Sequence, residues 1–381
     1  MIRNSNKRFK LLVVLSVTIL LLVLFFGLRG NGYKFSNDVT WIKDEPGIRF
    51  GNYGIVYAVI DKDHIKNNLS ATQTFSIEIA IKPEGFNPDG FNLILSLHDG
   101  EDCNQLMVGQ YKSYIVIMNG DDYENRRKIK RISADIFSKP SKKLLLTITT
   151  GDEGTKLFVD GKLIKAKSDL ILTIPVENIP RLILGNSVYG NSPWRGEMYS
   201  LAFYANKLEL ETIENRFNSW SNTQVLPYTK NGKPILFFMF NERTGTQTTD
   251  YVTRIQKLNI PTSFLILEKR FLSPPWRYFK ANKSFLMDFI VNLLGFIPLG
   301  FILCALCIQS RGIFQKKAIL FSLILCFLIS LCIEIAQAWI PSRSSQALDI
   351  ILNTISALIG AMLCSPLLKN EEMLIKKFRE S

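Results

Sequence analysis

The sequence predicts an all-β sandwich inserted between the first and second of four membrane-spanning α-helices. Long apolar runs lie near the two ends of the 381-residue chain, and a polar stretch with short alternating segments and turn residues fills the middle. Polar side chains also recur at helical spacing within the last three apolar runs. A soluble enzyme of ordinary composition is excluded, and so is a disordered or collagen-like chain, because 26 Phe and 12 Tyr require packed cores.

The first apolar run, Leu11–Leu28, carries no charge and follows a basic N-terminal segment. Its length is enough to cross a bilayer, which takes about 20 residues. A signal peptide has the same appearance, but no A-x-A-like cleavage site follows Leu28. We therefore expect a retained anchor.

Three further spans are predicted near the C-terminus, at Phe289–Ile308, Ala318–Ile340 and Ile350–Leu368. Basic residues cluster before the first span, in the loop around Arg311 and in the C-terminal tail. Because cytoplasmic segments carry an excess of Lys and Arg, both termini are expected in the cytoplasm. Residues 29–288 would then lie outside the cytoplasmic membrane, in a multi-pass protein.

The polar middle reads as a series of strands separated by turns. Its candidate strands are Phe75–Ile81, Tyr114–Met118, Leu144–Thr149, Lys156–Val159, Leu182–Gly185, Met198–Ala205 and Ile235–Asn241. Such spacing is typical of a sandwich or a barrel. Lys207–Trp220 instead has helical periodicity, with Leu210, Ile213, Phe217 and Trp220 on one face.

Three segments of the middle resemble the LamG-like, concanavalin A-type jelly-roll family: TKLFVDGKLI, RLILGNS and WRGEMYSLAFYANKLELETIENRF. In that family a strand–Asp-Gly–strand hairpin and a strand beginning at Trp-x-Gly precede a short helix. The resemblance covers about 180 residues. It implies two curved antiparallel sheets that bind carbohydrate or protein and in some members Ca²⁺.

No catalytic motif stands out in the middle domain, and we assign no catalytic residue anywhere in the chain. The E-x-D-x-(x)-E strand of related glycoside hydrolases is absent, since no Asp lies between Glu78 and Glu84. We interpret Glu78 as the solvent face of an alternating strand, and His64 and His98 as surface or loop residues. The loop acids are either exposed and solvated or ligands for Ca²⁺, and these alternatives stay open: Asp99, Glu101, Asp102, Asp121 and Asp122.

The charge distribution argues against nucleic acid as a partner. Residues 41–220 contain 22 Lys and Arg against 23 Asp and Glu, although the whole chain carries +13. A nucleic-acid-binding domain would concentrate positive charge on its folded surface. Here the basic excess flanks the spans, as contact with anionic membrane lipid requires.

Polar and small residues form one stripe along each of the last three spans. The stripes are Asp288, Asn292 and Gly295; then Ser322, Cys326, Ser330, Glu334 and Gln337; then Asp349, Asn353, Ser356, Gly360 and Cys364. Spacings of three and four place each set on one face of a helix. Such faces belong where membrane helices meet.

The charged members of these stripes cluster at the predicted outer ends of the spans. We expect a polar pocket formed by Asp288, Asn292, Glu334, Gln337, Arg343, Asp349 and Asn353. Arg343 would pair with the acids, because its planar guanidinium binds two carboxylate oxygens. The cluster either closes the helix bundle or forms a ligand or catalytic pocket, since ionisable residues inside membranes are usually functional.

The same residues resemble the VanZ-like family of bacterial membrane proteins. The family hallmarks are an Asn-x-x-x-Phe-x-Pro-Leu-Gly segment, a Glu-x-x-Gln pair, a Pro-x-Arg loop and an Asp-x-x-x-Asn-x-x-Gly stripe. All four begin in this chain at Asn292, Glu334, Pro341 and Asp349, although Ser356 replaces the usual glycine. The resemblance implies the bacterial cell envelope and a link to tolerance of glycopeptide antibiotics such as teicoplanin.

These expectations divide the chain into five parts. They are a tail and first helix at 1–30, a sandwich at 40–220, a basic connector with one strand at 221–287, a VanZ-like membrane region at 288–368 and a tail at 369–381. We expect a binding protein whose sandwich engages a glycan or protein and whose pocket holds a lipid-linked cell-wall precursor. The alternatives are an enzyme with Glu334 or Asp349 as general base and a purely structural anchor. The sequence predicts no oligomeric state.

Overall fold

The computed structural model divides the chain into two compact units. The residues it describes are 2–28, 35–68, 74–85, 87–123, 125–138, 142–227, 232, 234–268, 271–272, 290–310, 313–340 and 345–379. One unit is Lys34–Glu268, and the other combines Met1–Tyr33 with Lys269–Ser381. Each unit has its own apolar core.

Lys34–Glu268 is an antiparallel β-sandwich, as predicted. Its strands are β1 Val39–Trp41, β2 Ile48–Phe50, β3 Val56–Val59, β4 Phe75–Pro83, β5 Asn87–His98, β6 Leu106–Lys112, β7 Tyr114–Asn119, β8 Ile132–Asp135, β9 Leu144–Gly151, β10 Gly154–Val159, β11 Lys162–Lys167, β12 Arg181–Leu184, β13 Gly196–Tyr204, β14 Pro234–Phe238, β15 Gln247–Thr249 and β16 Lys257–Asn259. The first sheet has the order β1-β2-β13-β4-β9-β10-β11, with β14 also paired to β13. The second has the order β15-β16-β3-β12-β5-β6-β7-β8.

Seven helices complete the described structure. They are α1 Ile2–Leu28, α2 Lys62–Asn68, α3 Leu210–Thr223, α4 Ile297–Gln309, α5 Ile313–Lys316, α6 Ala318–Trp339 and α7 Ala347–Arg379. A further helical turn, residues 290–295, precedes α4.

Residue alternation explains the sandwich core. Ile77, Ile79 and Ile81 of β4 point between the sheets into the main apolar cluster. The β10–β11 hairpin turns at Asp160 and Gly161, whose φ values are 51° and 75°. Positive φ at both positions matches the twist of a two-residue hairpin, for which Asp-Gly is a preferred pair.

The outer face of the first sheet is partly covered by α3, which corrects our expectation for Glu78. Its side chain does alternate away from the core, but it is completely buried beneath the helix instead of facing solvent. The buried face of α3 also differs from the predicted one. Arg216 is buried there with Ile213 and Trp220, whereas Leu210 is exposed.

The sandwich continues beyond residue 220, so the expected connector at 221–287 is not a separate segment. β14 pairs with β13, with Leu201 opposite Phe238. β16 pairs with both β15 and β3. Three strands of the expected connector therefore complete the two sheets, where the sequence indicated one.

Several polar residues that we expected at the surface are buried. His98 is completely buried, and Asp99 and Asp122 are nearly so. Burial alone would raise the pKa of Asp122, but backbone N–H groups of Arg127 and neighbouring residues donate to its carboxylate and lower that pKa. These acids serve local turns, and among the described residues no group of three or more His, Cys, Asp or Glu side chains is placed to hold a metal ion. The side chain of His64 lies outside the described residues.

The second unit contains the predicted membrane helices. Within the described residues, four helices are long and apolar enough to span a bilayer: Lys7–Leu28, Ile290–Gln309, Ala318–Trp339 and Ala347–Cys364. Their packing centre includes Phe296, Leu299, Cys326, Ile333 and Ala357, and residues of α1 pack against it. The four-span helical bundle is therefore confirmed.

Candidate functional site

The predicted stripes face the interior of the helix bundle. Ser322, Cys326, Ser330, Glu334 and Gln337 are all buried on α6. On α7, Asn353, Ser356 and Cys364 are buried and Asp349 is partly exposed. Polar side chains placed at helix contacts can hydrogen-bond across the interface, which lipid would not allow.

A polar ladder, defined as Asn292, Ser330, Glu334, Asp349, Asn353 and Ser356, connects α7 to its two neighbours. Asn292 Nδ2 donates to Asp349 Oδ1 at 2.7 Å, and Asn353 Nδ2 donates to Ser330 Oγ at 3.0 Å. Glu334 Oε2 accepts the backbone N–H of Gln346 at 2.8 Å. The ladder therefore holds both neighbouring helices against the beginning of α7.

Ser356 completes the ladder at an interruption of the second span. Residues 290–295 are helical, Phe296 forms a turn, and α4 begins at Ile297 with Pro298 at its second position. Proline cannot donate to the carbonyl four residues earlier, and its ring disturbs the preceding turn. The N–H of Phe296 instead donates to Ser356 Oγ at 3.1 Å.

Two glycines bring α4 and α7 into close contact. A Cβ on Gly300 would lie 2.7 Å from the Cα of Ala357, and a Cβ on Gly360 would lie 2.8 Å from the backbone N of Phe301. The Asn-x-x-x-Phe-x-Pro-Leu-Gly segment and the α7 stripe are thus complementary faces of one helix pair.

The structure brings together only part of the predicted pocket. Asn292 contacts Asp349, and Asn353 contacts Ser330, whereas Gln337 Nε2 donates to the carbonyl of Gly27 in α1 at 2.8 Å. Gly295 of the predicted stripe has open space at its Cβ position. Asp288 and Arg343 lie outside the described residues, so their expected pairing with the acids stays a prediction.

Within the described part of the chain, one atom of the ladder has no hydrogen-bond partner. The Oδ1 of Asn353 is buried and unpaired, although the Nδ2 of the same side chain is bonded. An unpaired buried carbonyl costs free energy that a bound donor would recover.

The sandwich carries a second candidate site, a charged groove that the sequence did not indicate. Its floor is a row across four strands, because Thr40 lies opposite Arg49, and Glu197 lies opposite both Arg49 and Lys82. This row is on the outer face of the first sheet. The groove has a volume of about 430 Å³, and its other lining residues are Asp38, Phe50, Gly51, Asn52, Pro83, Glu84, Arg195 and Gly196.

Most charged side chains of the groove are paired, and its three cations remain accessible. Arg49 forms an ion pair with Glu197, Lys82 Nζ lies 3.4 Å from the same carboxylate, and Arg195 Nε lies 3.4 Å from Glu84 Oε2. Burial alone would raise the pKa of Glu197, but hydrogen bonds from Tyr199 and Arg49 outweigh it and lower that pKa. The carboxylate thus stays ionised and fixes both cations with their outer N–H groups exposed.

Sequence reasoning missed this groove because its residues come from four separated segments. The available signal was weak: one charged residue at an outward position in each of three strands, Arg49, Lys82 and Glu197. Only the strand order β1-β2-β13-β4 shows that they form one row.

Comparison with known proteins identifies the C-terminal region. Residues 234–369 match the model of the VanZ/LLP1 family, which confirms the VanZ-like resemblance. The match begins at β14, so it includes three strands of the sandwich as well as the last three spans. No curated protein matches the chain.

Solved structures similar to this chain include a Bacteroides ovatus protein whose name calls it carbohydrate-binding. It has a TM-score of 0.41 and 12% identity, over 59% of this chain and 62% of that protein. A botulinum neurotoxin DC binding domain, solved with rat synaptotagmin II, has a TM-score of 0.37 and 16% identity, over 50% of this chain and 47% of its own. The chain spans less than two thirds of either protein.

Proposed function

We propose that this chain is a bacterial envelope protein that binds a glycan through the charged groove of its sandwich. In this proposal the helices lie in the cytoplasmic membrane, both termini are cytoplasmic and the sandwich is extracytoplasmic. The polar ladder would hold a lipid-linked ligand, such as a cell-wall precursor. A role in glycopeptide tolerance is part of the proposal and rests on the VanZ-like match alone.

The observation that best supports glycan binding is the uncovered row of charged side chains in the groove. Its volume of about 430 Å³ is within the range of ligand sites, about 300–1,000 Å³. Three cations and three carboxylates line it, so it offers many donors and acceptors without a large net charge. That balance suits a polyhydroxylated ligand, whose hydroxyl groups both donate and accept.

Replacing Arg195 with alanine is expected to weaken binding of the full-length protein to isolated cell-wall polysaccharide by about tenfold or more. A hydrogen bond from a charged donor contributes about 1.5–3 kcal/mol, and each 1.4 kcal/mol is tenfold in affinity. Binding would be measured by sedimentation of protein in nanodiscs with the polysaccharide. Point variants are preferable to deleting residues 41–220, which would leave β14 without β13 and β16 without β3.

The matched control is Lys156→Ala, which removes a partly exposed cation from β10 of the same sheet. Lys156 forms an ion pair with Glu153 outside the groove. This substitution should leave binding unchanged. Equal affinities of wild type and Arg195→Ala for the polysaccharide would contradict the proposal that the glycan binds in the groove. If none of the three forms bound the polysaccharide, the result would contradict glycan binding altogether.

The unpaired Asn353 Oδ1 supports the proposal that the polar ladder binds a lipid-linked ligand. A hydroxyl or amide donor from such a ligand would satisfy this buried acceptor. We expect wild-type protein to retain lipid-linked material through purification and Asn353→Leu to retain several-fold less, as measured by mass spectrometry of extracted lipids. Thr354→Val is the control, because the Thr354 hydroxyl donates within its own helix, to the carbonyl of Ile350. Equal lipid content in all three forms would contradict this role.

The observed contacts support binding over catalysis. Glu334 is buried and its carboxylate accepts a backbone N–H, so it stabilises the start of α7. A general base must instead reach a substrate proton within hydrogen-bond distance. We therefore propose no catalytic residue.

A further inference from the structure

An apolar surface patch lies where the first and last residues of the sandwich unit come together. We define the arm patch as Phe35, Tyr53, Phe264, Leu265 and Ile266. The rings of Phe35 and Tyr53 are stacked, with centroids 4.4 Å apart, and Phe264 meets Tyr53 edge-on at 5.8 Å. The patch therefore continues from the N-terminal end of the sandwich unit to its C-terminal end.

Backbone hydrogen bonds join the N-terminal and C-terminal ends of the sandwich unit. The N–H of Asn37 donates to Thr262 at 3.1 Å, and the N–H of Phe264 donates to Phe35 at 2.9 Å. Phe264 and Ile266 also pack over Gly190, where a Cβ would lie 2.8 Å from the Phe264 ring. The patch is thus part of the folded sandwich.

The patch exposes more apolar surface than packing requires. Phe35 is 50% exposed, Tyr53 43%, Leu265 39% and Ile266 41%. Single exposed apolar residues are ordinary, but a continuous group of them marks an interaction surface.

The chain connections point to lipid as the occupant. Leu28 ends a membrane-length helix, and Phe35 follows seven residues later. Headgroup regions extend several ångströms beyond the hydrocarbon, and aromatic residues concentrate there.

The neighbouring sequence also complements a lipid surface. Basic residues lie close to both ends of the sandwich unit in the sequence, at Arg29, Lys34, Lys269 and Arg270. Lys and Arg side chains near an anionic bilayer are attracted to its surface. We infer that the arm patch docks into the headgroup region of an anionic bilayer. This inference is independent of the glycan and of the polar ladder.

Photo-crosslinking of the full-length protein tests the inference. Tyr53→p-benzoylphenylalanine and Tyr114→p-benzoylphenylalanine would be placed in nanodiscs of phosphatidylethanolamine and phosphatidylglycerol. Both native tyrosines are 43% exposed, so they form a matched pair. After irradiation, mass spectrometry should find at least fivefold more lipid adduct at position 53.

Equal lipid adducts at positions 53 and 114 would overturn the inference. Covalent dimers in place of lipid adducts at position 53 would also overturn it and would indicate a second copy as the occupant. Leu265→p-benzoylphenylalanine provides a second probe that leaves the stacked rings intact, and it should give the same lipid adducts. Glycan binding by the Leu265 variant should be unchanged, which separates this result from the groove proposal.

Discussion

Replacing Glu78 with alanine is expected to lower the free energy of unfolding of the sandwich by about 3–5 kcal/mol, because it leaves a buried guanidinium without its partner. Glu78 is buried beneath α3, Arg216 is on the buried face of that helix, and Arg216 Nε donates to Glu78 Oε2 at 2.7 Å. Urea unfolding of the full-length protein in detergent, followed by tryptophan fluorescence, would measure the loss. Amide exchange in α3 should rise in parallel.

The network around Glu78 explains why the loss should be large. Tyr204 donates its hydroxyl to Glu78 Oε2 at 2.7 Å, and Arg216 also donates to the carbonyl of Pro227 at 3.1 Å. Burial, together with the charge of Glu78, raises the pKa of Tyr204 well above its usual value, so its hydroxyl remains a donor. One carboxylate therefore organises groups from β4, β13 and α3.

Two further variants separate the buried charge from other causes. Glu153→Ala removes an exposed carboxylate, one whose pKa is lowered to about 2 by hydrogen bonds from Lys207 and Lys156, and it should change stability little. The double variant Glu78→Leu with Arg216→Met removes both charges and should recover most of the loss, because apolar replacements of buried pairs are often tolerated. A Glu78→Ala protein as stable as wild type would show that α3 is held by its apolar contacts alone.

The parts of the fold that depend on local pattern were predictable from sequence. Alternation in residues 75–81 identified β4, and the Asp160–Gly161 turn identified the β10–β11 hairpin. Stripe spacing of three and four identified the buried faces of α6 and α7. In each case neighbouring residues determine which side of the element is apolar or polar.

Features that depend on distant packing were not predictable in the same way. Alternation correctly placed Glu78 on the outer face of β4, but only the docking of α3 buries it. The groove requires Arg49, Glu197 and Lys82 to align across β2, β13 and β4, and strand pairing brings residues 49 and 197 together although they are 148 positions apart in the sequence. Apolar residues after position 220 did not reveal that β14 and β16 complete sheets begun far earlier in the chain.

The spacing of the α4–α7 contact leads to the second large prediction. Replacing Gly300 with alanine is expected to destabilise the helix bundle by about 1–3 kcal/mol, the usual cost of adding a methyl group to a packed interface. The new Cβ would lie 2.7 Å from the Cα of Ala357, and backbone cannot move aside as a flexible side chain can. The helices would have to separate, which would weaken the neighbouring hydrogen bond from Phe296 to Ser356.

Gly295 provides the matched control from the same span, because a Cβ there meets no atom within 4 Å. Gly295→Ala should leave the bundle unchanged or stabilise it slightly, since alanine is the better helix former by about 0.5–1 kcal/mol. The two substitutions add the same methyl group five residues apart, and the contact with Ala357 of α7 is the packing difference between them. The fraction of protein that stays monodisperse after heating in detergent, measured by size-exclusion chromatography, would compare them. If Gly300→Ala survives heating as well as Gly295→Ala, close approach of α4 and α7 does not stabilise the bundle.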